Sequence, residues 1–308
     1  MPAIWIPKRL VDLNLINTAG LSKQNFIRHC EFEYESRVFA AAKEVIAENR
    51  HIIMLTGPSA SGKTTTAHKL RDKLITLGKN ARVISLDNFF KNGEDYPRLE
   101  NGEKDYENVT ALELDLFRKC FRELMDKGYA KVPEFDFQKE IRIEDAIDIQ
   151  LNDGFIIVEG IHALNPVLLN LLPEGEVFTI YAGLREEYSF RGQRILPTRD
   201  IRLLRRMIRD YKYRGHSPQK TISMWPAVCE GEDKYIKIFK PNADLLLDTS
   251  FSYELLIMHT ALADFEQFRD DTTPEGTKLA QLFKVFDNIG YLPLGTLPPV
   301  SMLCEFFI

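Results

Sequence analysis

Cysteine is scarce in this chain, and what there is lies scattered. Cys30, Cys120, Cys229 and Cys304 form no CxxC or Cys/His metal pattern, so they read as reduced thiols and not as a zinc site or a disulfide framework. An excess of positive charge is also missing. The net charge is −5 over 308 residues, so no global field draws the protein to nucleic acid or to a membrane, and any anion-binding surface has to be local. No apolar run approaches membrane-spanning length, and the opening MPAIWIPKRLVDLNLIN carries charges where a signal peptide needs its apolar centre. A cytoplasmic protein with no membrane and no nucleic-acid partner is expected. Repeats and low-complexity segments are absent. What remains, 44% hydrophobic and 28% charged residues, is the profile of an ordinary globular protein.

Strands and helices alternate along much of the chain. Residues 30–49 place Phe32, Val38, Phe39, Ala42, Val45 and Ile46 at near-helical spacing, which predicts a helix packed on the core. HIIMLTG (51–57) reads as a strand and 62–77 as a helix. RVISLD (82–87) is a second strand, and 110–128 a helix ending at Gly128. The region from KVPEFDF to AIDIQL suggests an extended hairpin. GFIIVEG (154–160), VFTIYAG (177–183) and ADLLLD (243–248) are further strands, with helices at 200–213 and after Ser217. This order predicts an α/β fold with a mainly parallel sheet flanked by helices, whose ligands bind beyond the carboxyl ends of the strands. We expect an N-terminal helical extension over 1–49, a main domain over 50–250 and a C-terminal helical extension over 251–308. The last is expected to cover a sheet edge or to form a dimer surface.

GPSASGKT, residues 57–64, is a full match to GxxxxGK[ST] between a predicted strand and a predicted helix. Gly57 and Gly62 permit the turn that lets successive amides of Ser59, Ala60, Ser61, Gly62 and Thr65 converge on phosphate at a helix N-terminus. Lys63 is expected to reach the β- and γ-phosphates, and the Thr64 hydroxyl to help hold Mg²⁺. Glu159, ending an apolar strand, is the expected second metal ligand. His162 reads as a local hydrogen-bonding residue. This is a P-loop nucleoside-triphosphate site.

A P-loop alone does not separate ATPases, GTPases and kinases. A guanine-reading NKxD is absent, and the chain is too small for a motor or helicase machine. Asp87, at the end of the strand after the P-loop helix, could cap a turn. It could also take the proton of an acceptor hydroxyl, as a small-molecule kinase requires. Downstream, RDIRLLRRMIRDYKYRGH sets Arg202, Arg205, Arg206 and Arg209 on one helical face. Leu203, Leu204, Met207 and Ile208 are expected to anchor the other. Like charges at that spacing cost roughly 0.2–0.5 kcal/mol per pair, so the stripe points to an anionic ligand. ATP phosphates suit it better than RNA, because aromatics for base stacking are not interleaved. Arg214-Gly215 reads as the turn of a lid.

Taken as a set and in order, GPSASGKTT, SLDNFF, PEFDF, VEGIHALNP and RLLRRMIRDYKYRG resemble the uridine kinase/phosphoribulokinase family of P-loop kinases over about residues 50–250. The bacterial branch often fused to a threonyl-tRNA synthetase-like domain is the most similar, down to the tail GTLPPVSMLCEFFI. Residues 1–49 are too few for that domain, so a stand-alone kinase module is expected. The resemblance implies ATP and Mg²⁺, transfer to a hydroxyl of a small molecule, Asp87 as base and an arginine-bearing lid. Arg205 and Arg209 would be catalytic, Arg206 and Arg214 would hold ATP, and Arg202 would face the acceptor. It also implies an acceptor pocket from 105–110 and PEFDF, with Glu107, Phe135, Phe137 and Glu140. Where that family carries a ribose-holding aspartate, a tyrosine and a pyrimidine-reading histidine, this chain has Glu107, Phe135 and Glu140. Weaker pyrimidine discrimination follows, and a polyhydroxylated or cationic acceptor becomes an alternative to a nucleoside. Two other readings stay open: an ATP-binding regulatory module that transfers nothing, and an RNA-associated ATPase.

Overall fold

The computed structural model describes residues 7–98, 102, 104–105, 107–136, 139–151, 154–268 and 271–308. In chain order the elements are β1 (Arg9–Asp12), α1 (Leu13–Gly20), α2 (Lys23–Glu48), β2 (Ile52–Thr56), α3 (Lys63–Thr76), β3 (Ala81–Ser85), α4 (Leu114–Lys127), β4 (Tyr129–Asp136), β5 (Ile141–Gln150), β6 (Phe155–Glu159) and α5 (Pro166–Leu169). Then follow β7 (Val177–Gly183), β8 (Glu186–Phe190), β9 (Gln193–Leu196), α6 (Thr198–Arg214), α7 (Pro218–Tyr235), β10 (Leu245–Asp248), α8 (Glu254–Leu262), α9 (Pro274–Phe286) and α10 (Cys304–Phe307). Among the described residues, no helix is long and apolar enough to cross a membrane.

The centre is a five-stranded, wholly parallel sheet in the order β10-β7-β2-β6-β3. Its strands read as continuous apolar runs because both faces are covered. Alternation along β2 sends Ile53 and Leu55 to a core shared with α2, α3, α6 and α8. Ile52 and Met54 go to a second core with α4 and the β4–β5 hairpin. That α/β architecture, with the hairpin, is the one expected from the sequence.

The extensions are less peripheral than their composition suggests. On α2 the packed face is Tyr34, Val38, Ala41, Ala42 and Val45, while Phe32 is 66% exposed and Phe39 37%, so two of the residues expected to anchor it do not. A small sheet in the order β1-β8-β9 was not anticipated; its strands are only four or five residues long and mix charge with apolar positions. The C-terminal tail runs back onto α3 and α6. There Met302 abuts Gly62, where any Cβ would collide with its sulfur, and Phe306 lies under the Arg205 guanidinium at 5.0 Å.

Candidate active site

The P-loop joins β2 to α3. Ala60 and Gly62 both sit at positive φ (58° and 83°), and a Cβ on Gly57 would strike the Ala182 carbonyl of β7. The loop can therefore be this tight only with glycine at 57 and 62. No side chain caps α3 and no acid lies in its first turn, so its leading N–H groups are left for an anion. Among the described residues, Lys63 donates to the Pro58 carbonyl of its own loop, at 3.4 Å, and to no other acceptor. Thr64 is exposed.

Two carboxylates close the far side of the same cleft. Glu159, 5% exposed at the end of β6, accepts the Ser85 hydroxyl at 2.9 Å. Asp87 lies just past β3, in a single 3₁₀ turn over Leu86–Phe89. The cap of that turn is Ser85, whose hydroxyl oxygen accepts the Asp87 amide at 3.3 Å. The Asp87 carboxylate is thus not spent on capping and faces the cleft. Burial, reinforced by Glu159 and then opposed by Lys63, pushes it up to about 6. Glu107 is likewise raised, by burial first, with Arg206 opposing. It is seated on α7 at Gly231, where a Cβ would come within 3.1 Å of its Cγ.

The cleft has a volume of about 930 Å³. Of the predicted residues it gathers Ser59, Ala60, Gly62, Lys63, Thr64, Asp87, Glu107, Phe135, Glu140, Glu159, Arg206, Arg209 and Arg214. Gly57 and Ser61 are buried behind the loop, and Thr65 donates its hydroxyl to Glu305 at 2.6 Å. Phe137 lies outside the described residues. Within the cleft, Phe90 and Phe135 meet edge to face at 5.7 Å, and Tyr96 lies 5.7 Å from Phe90. Glu140 takes an ion pair from Lys104.

The arginine stripe divides. Arg205, expected to be catalytic, is fully buried and does not reach the cleft: Glu254 takes its Nε at 2.7 Å, and the Thr249 and Ala60 carbonyls take its other nitrogens. Arg202, expected to face the acceptor, is 3% exposed and bound through both terminal nitrogens to Glu232, with a further bond to the Ser59 carbonyl. The reason is that α6 is covered on nearly every side, its supposed polar face meeting α7, α8 and α10. These two arginines brace the P-loop backbone from behind. Arg206, Arg209 and Arg214 do line the cleft, and all three lean on one carboxylate, the 1% exposed Asp210, at 3.3, 2.8 and 3.5 Å. Arg206 also donates to the Ser59 hydroxyl at 2.9 Å. Burial lowers both Arg206 and Arg214 from the ordinary arginine value, and neighbouring guanidiniums add to it.

His162 corrects another expectation. It is 1% exposed and neither ring nitrogen has a partner among the described residues; burial pushes it down to about 4, so it is held neutral. Ser85, Tyr96, Asp210 and Glu305 were not anticipated. Asp210 was readable, standing four residues after Arg206 and four before Arg214. Glu305 was not, because nothing local relates residue 305 to residue 65.

Metal ligation tests well against this donor set. Among the described residues no group of three or more His, Cys, Asp or Glu could hold a metal ion alone, but Mg²⁺ on a nucleotide needs only one or two carboxylates besides the phosphates and water. Glu159 and Thr64 are the residues that fit.

Residues 52–179 match the model of the phosphoribulokinase/uridine kinase family. A uridine kinase of Halobacterium salinarum is 25% identical over 196 residues, 63% of this chain and 78% of that protein. One from Staphylococcus aureus is 27% identical over 207 residues, 67% of this chain and 91% of its own. Among solved structures, one described as a possible uridine kinase from Bacillus stearothermophilus is 20% identical and covers 70% of this chain and all of its own, with a TM-score of 0.48. The P-loop, Asp87 and Glu159 all lie within residues 52–179, the part of the chain that is similar to the phosphoribulokinase/uridine kinase family.

Proposed function

We propose that the protein transfers the γ-phosphoryl group of ATP to a hydroxyl of a nucleoside or a similar small metabolite. One observation carries this reading: the Asp87 carboxylate, free of any capping duty and raised to about 6, lines the same cleft as Lys63 and the three arginines. A protein that only bound ATP would have no use for a buried carboxylate facing the phosphate loop there.

Lys63 and the leading amides of α3 hold the phosphates. Thr64 and Glu159 would hold the Mg²⁺ that accompanies the nucleotide, which would supply charge neutralisation at the phosphate oxygens. Asp87 accepts the proton of the acceptor hydroxyl as its oxygen bonds to the γ-phosphorus and the bond to ADP breaks. Arg206, Arg209 and Arg214 stabilise the charge that spreads over the moving phosphoryl group. Asp210 holds them together before ATP arrives. Each guanidinium then has an acceptor waiting and little reorganisation to undergo.

Phe90, Tyr96 and Phe135 offer flat apolar surface suited to a planar base, which favours a nucleoside acceptor. Glu107 and the Glu140–Lys104 pair favour one with several hydroxyls. ADP formation with Mg²⁺-ATP against nucleosides, sugars, polyols and amino alcohols tests the reading. Turnover with uridine or cytidine assigns the nucleoside, and turnover confined to a sugar or polyol assigns the polar alternative. ATP binding with no acceptor-dependent ADP on the whole panel would support a regulatory module instead.

A further inference from the structure

A second pocket, of about 400 Å³, adjoins the P-loop at Pro58 and shares no lining residue with the nucleotide cleft. Pro58 and Arg202 form the partition: both line this pocket, while the adjoining Ser59 and Ala60 line the cleft. Its floor is Arg185, which follows β7 and opens the β8–β9 hairpin.

Arg185 is only 4% exposed. Its Nε and Nη2 are buried without a hydrogen-bond partner, and no carboxylate lies within ion-pair distance of it among the described residues. The carboxylate that acts on it, after the Tyr181 phenol, is Asp248, which already accepts Arg9 at 2.8 Å and the Ser250 amide at 2.9 Å. Every comparably buried arginine of α6 has its own acid. An unpaired buried guanidinium is costly, and the surroundings make this one costlier. Lys8, Arg194, Arg199, Lys237 and Lys240 stand around it, Arg199 and Lys237 both paired with Asp233 outside the pocket lining. Glu187 is the one acid among the lining residues, and Lys8 and Arg194 both already bind it. Burial and then repulsion from Arg185, Lys8 and Lys237 push Lys240 down to about 8. Water could solvate one guanidinium edge, but it would leave the accumulated charge in place.

We propose that this pocket is an anion site that takes the phosphate group of a small phosphorylated metabolite, with the Arg185 fork as its principal contact. A phosphate offers paired oxygens to the guanidinium and brings negative charge to a pocket whose one lining acid, Glu187, is already shared by Lys8 and Arg194. The remaining wall, Tyr181, Leu184 and Pro58, is apolar and suits the body of an ester, and the volume is within the range of small-ligand sites.

Phosphate also binds P-loops, so the test begins in a Lys63→Ala background. Inorganic phosphate and glycerol 1-phosphate are titrated at fixed ionic strength by calorimetry, into Lys63→Ala and into Lys63→Ala/Arg185→Met. The expected result is saturable binding to the first and at least tenfold weaker binding to the second. Arg185→Met removes an unpaired buried charge at similar length, so it should not lower the melting temperature without ligand. Lys240→Gln, on the rim, is a second variant, expected to weaken binding several-fold. Tighter binding of glycerol 1-phosphate assigns an ester, and equal binding assigns inorganic phosphate; either supports the site. Affinities within twofold of each other with and without Arg185, or a folded Lys63→Ala protein that binds no phosphate, would overturn it. So would Arg185-dependent capture of a single-stranded oligonucleotide with no binding of phosphate.

Discussion

Two sets of arginines stand on one helix and meet opposite fates. Arg202 and Arg205 each have a private, buried acid in Glu232 and Glu254 and spend their remaining donors on backbone carbonyls, of the P-loop and of Thr249. Arg206, Arg209 and Arg214 share Asp210 among three. The first set is electrically complete and holds the fold. The second shares one ion-paired carboxylate among three guanidiniums, so its charge is only partly matched and is available to an anionic ligand in the cleft. What separates a structural from a functional arginine here is the count of acids within reach, not the position on the helical wheel.

The comparison can be broken most severely on its structural side. Glu254→Ala should cost about 3–5 kcal/mol, because it leaves Arg205 charged, buried and unpaired. The melting temperature should fall on the order of 10 °C, with the rate per folded molecule little changed when measured well below it. On the other side, Arg206→Met should lower kcat by about 10²–10³-fold. Its melting temperature should hold within a few degrees, since Asp210 keeps Arg209 and Arg214.

Asp87 sharpens the contrast from the acid side. Folding raises it from its ordinary 3.8 to about 6, so the folded chain binds that proton more tightly than the unfolded one. The stability it contributes is complete below about pH 4 and is lost as pH rises through 6. Asparagine resembles the protonated form at every pH. Asp87→Asn should therefore raise the melting temperature by roughly 2–4 °C at pH 7.5 and have little effect at pH 4.5, by calorimetry at both pH values. The smallest effect is expected at Glu305, which brings a carboxylate beside the phosphate loop. Glu305→Gln should tighten ATP binding a few-fold in direct titration, more at low salt than at high.

Much of this was legible in the sequence. The P-loop could be read because its glycines, lysine and threonine act through adjacent backbone, and the parallel sheet because doubly covered strands are apolar throughout. Asp87 and Glu159 were legible because strand ends in such a sheet share one edge. The division of the arginines was not, since it depends on acids 30 to 49 residues further along the chain, at Glu232 and Glu254. The role of the tail was hidden for the same reason: Met302 and Glu305 meet the P-loop only through the folded core. Phe32 and Phe39 misled because helical spacing identifies a stripe without saying that a neighbour covers it.

The central claim is that Asp87 serves the transfer of phosphate and not its binding. Acceptor-dependent ADP formation and ATP affinity, measured side by side for wild type and Asp87→Asn with the best acceptor of the panel, test it most directly. Loss of the Asp87 carboxylate should lower kcat by about 10²–10⁴-fold while ATP binding stays within a few-fold. Undiminished turnover in the variant, or a loss of ATP binding that accounts for the whole loss of rate, would contradict it.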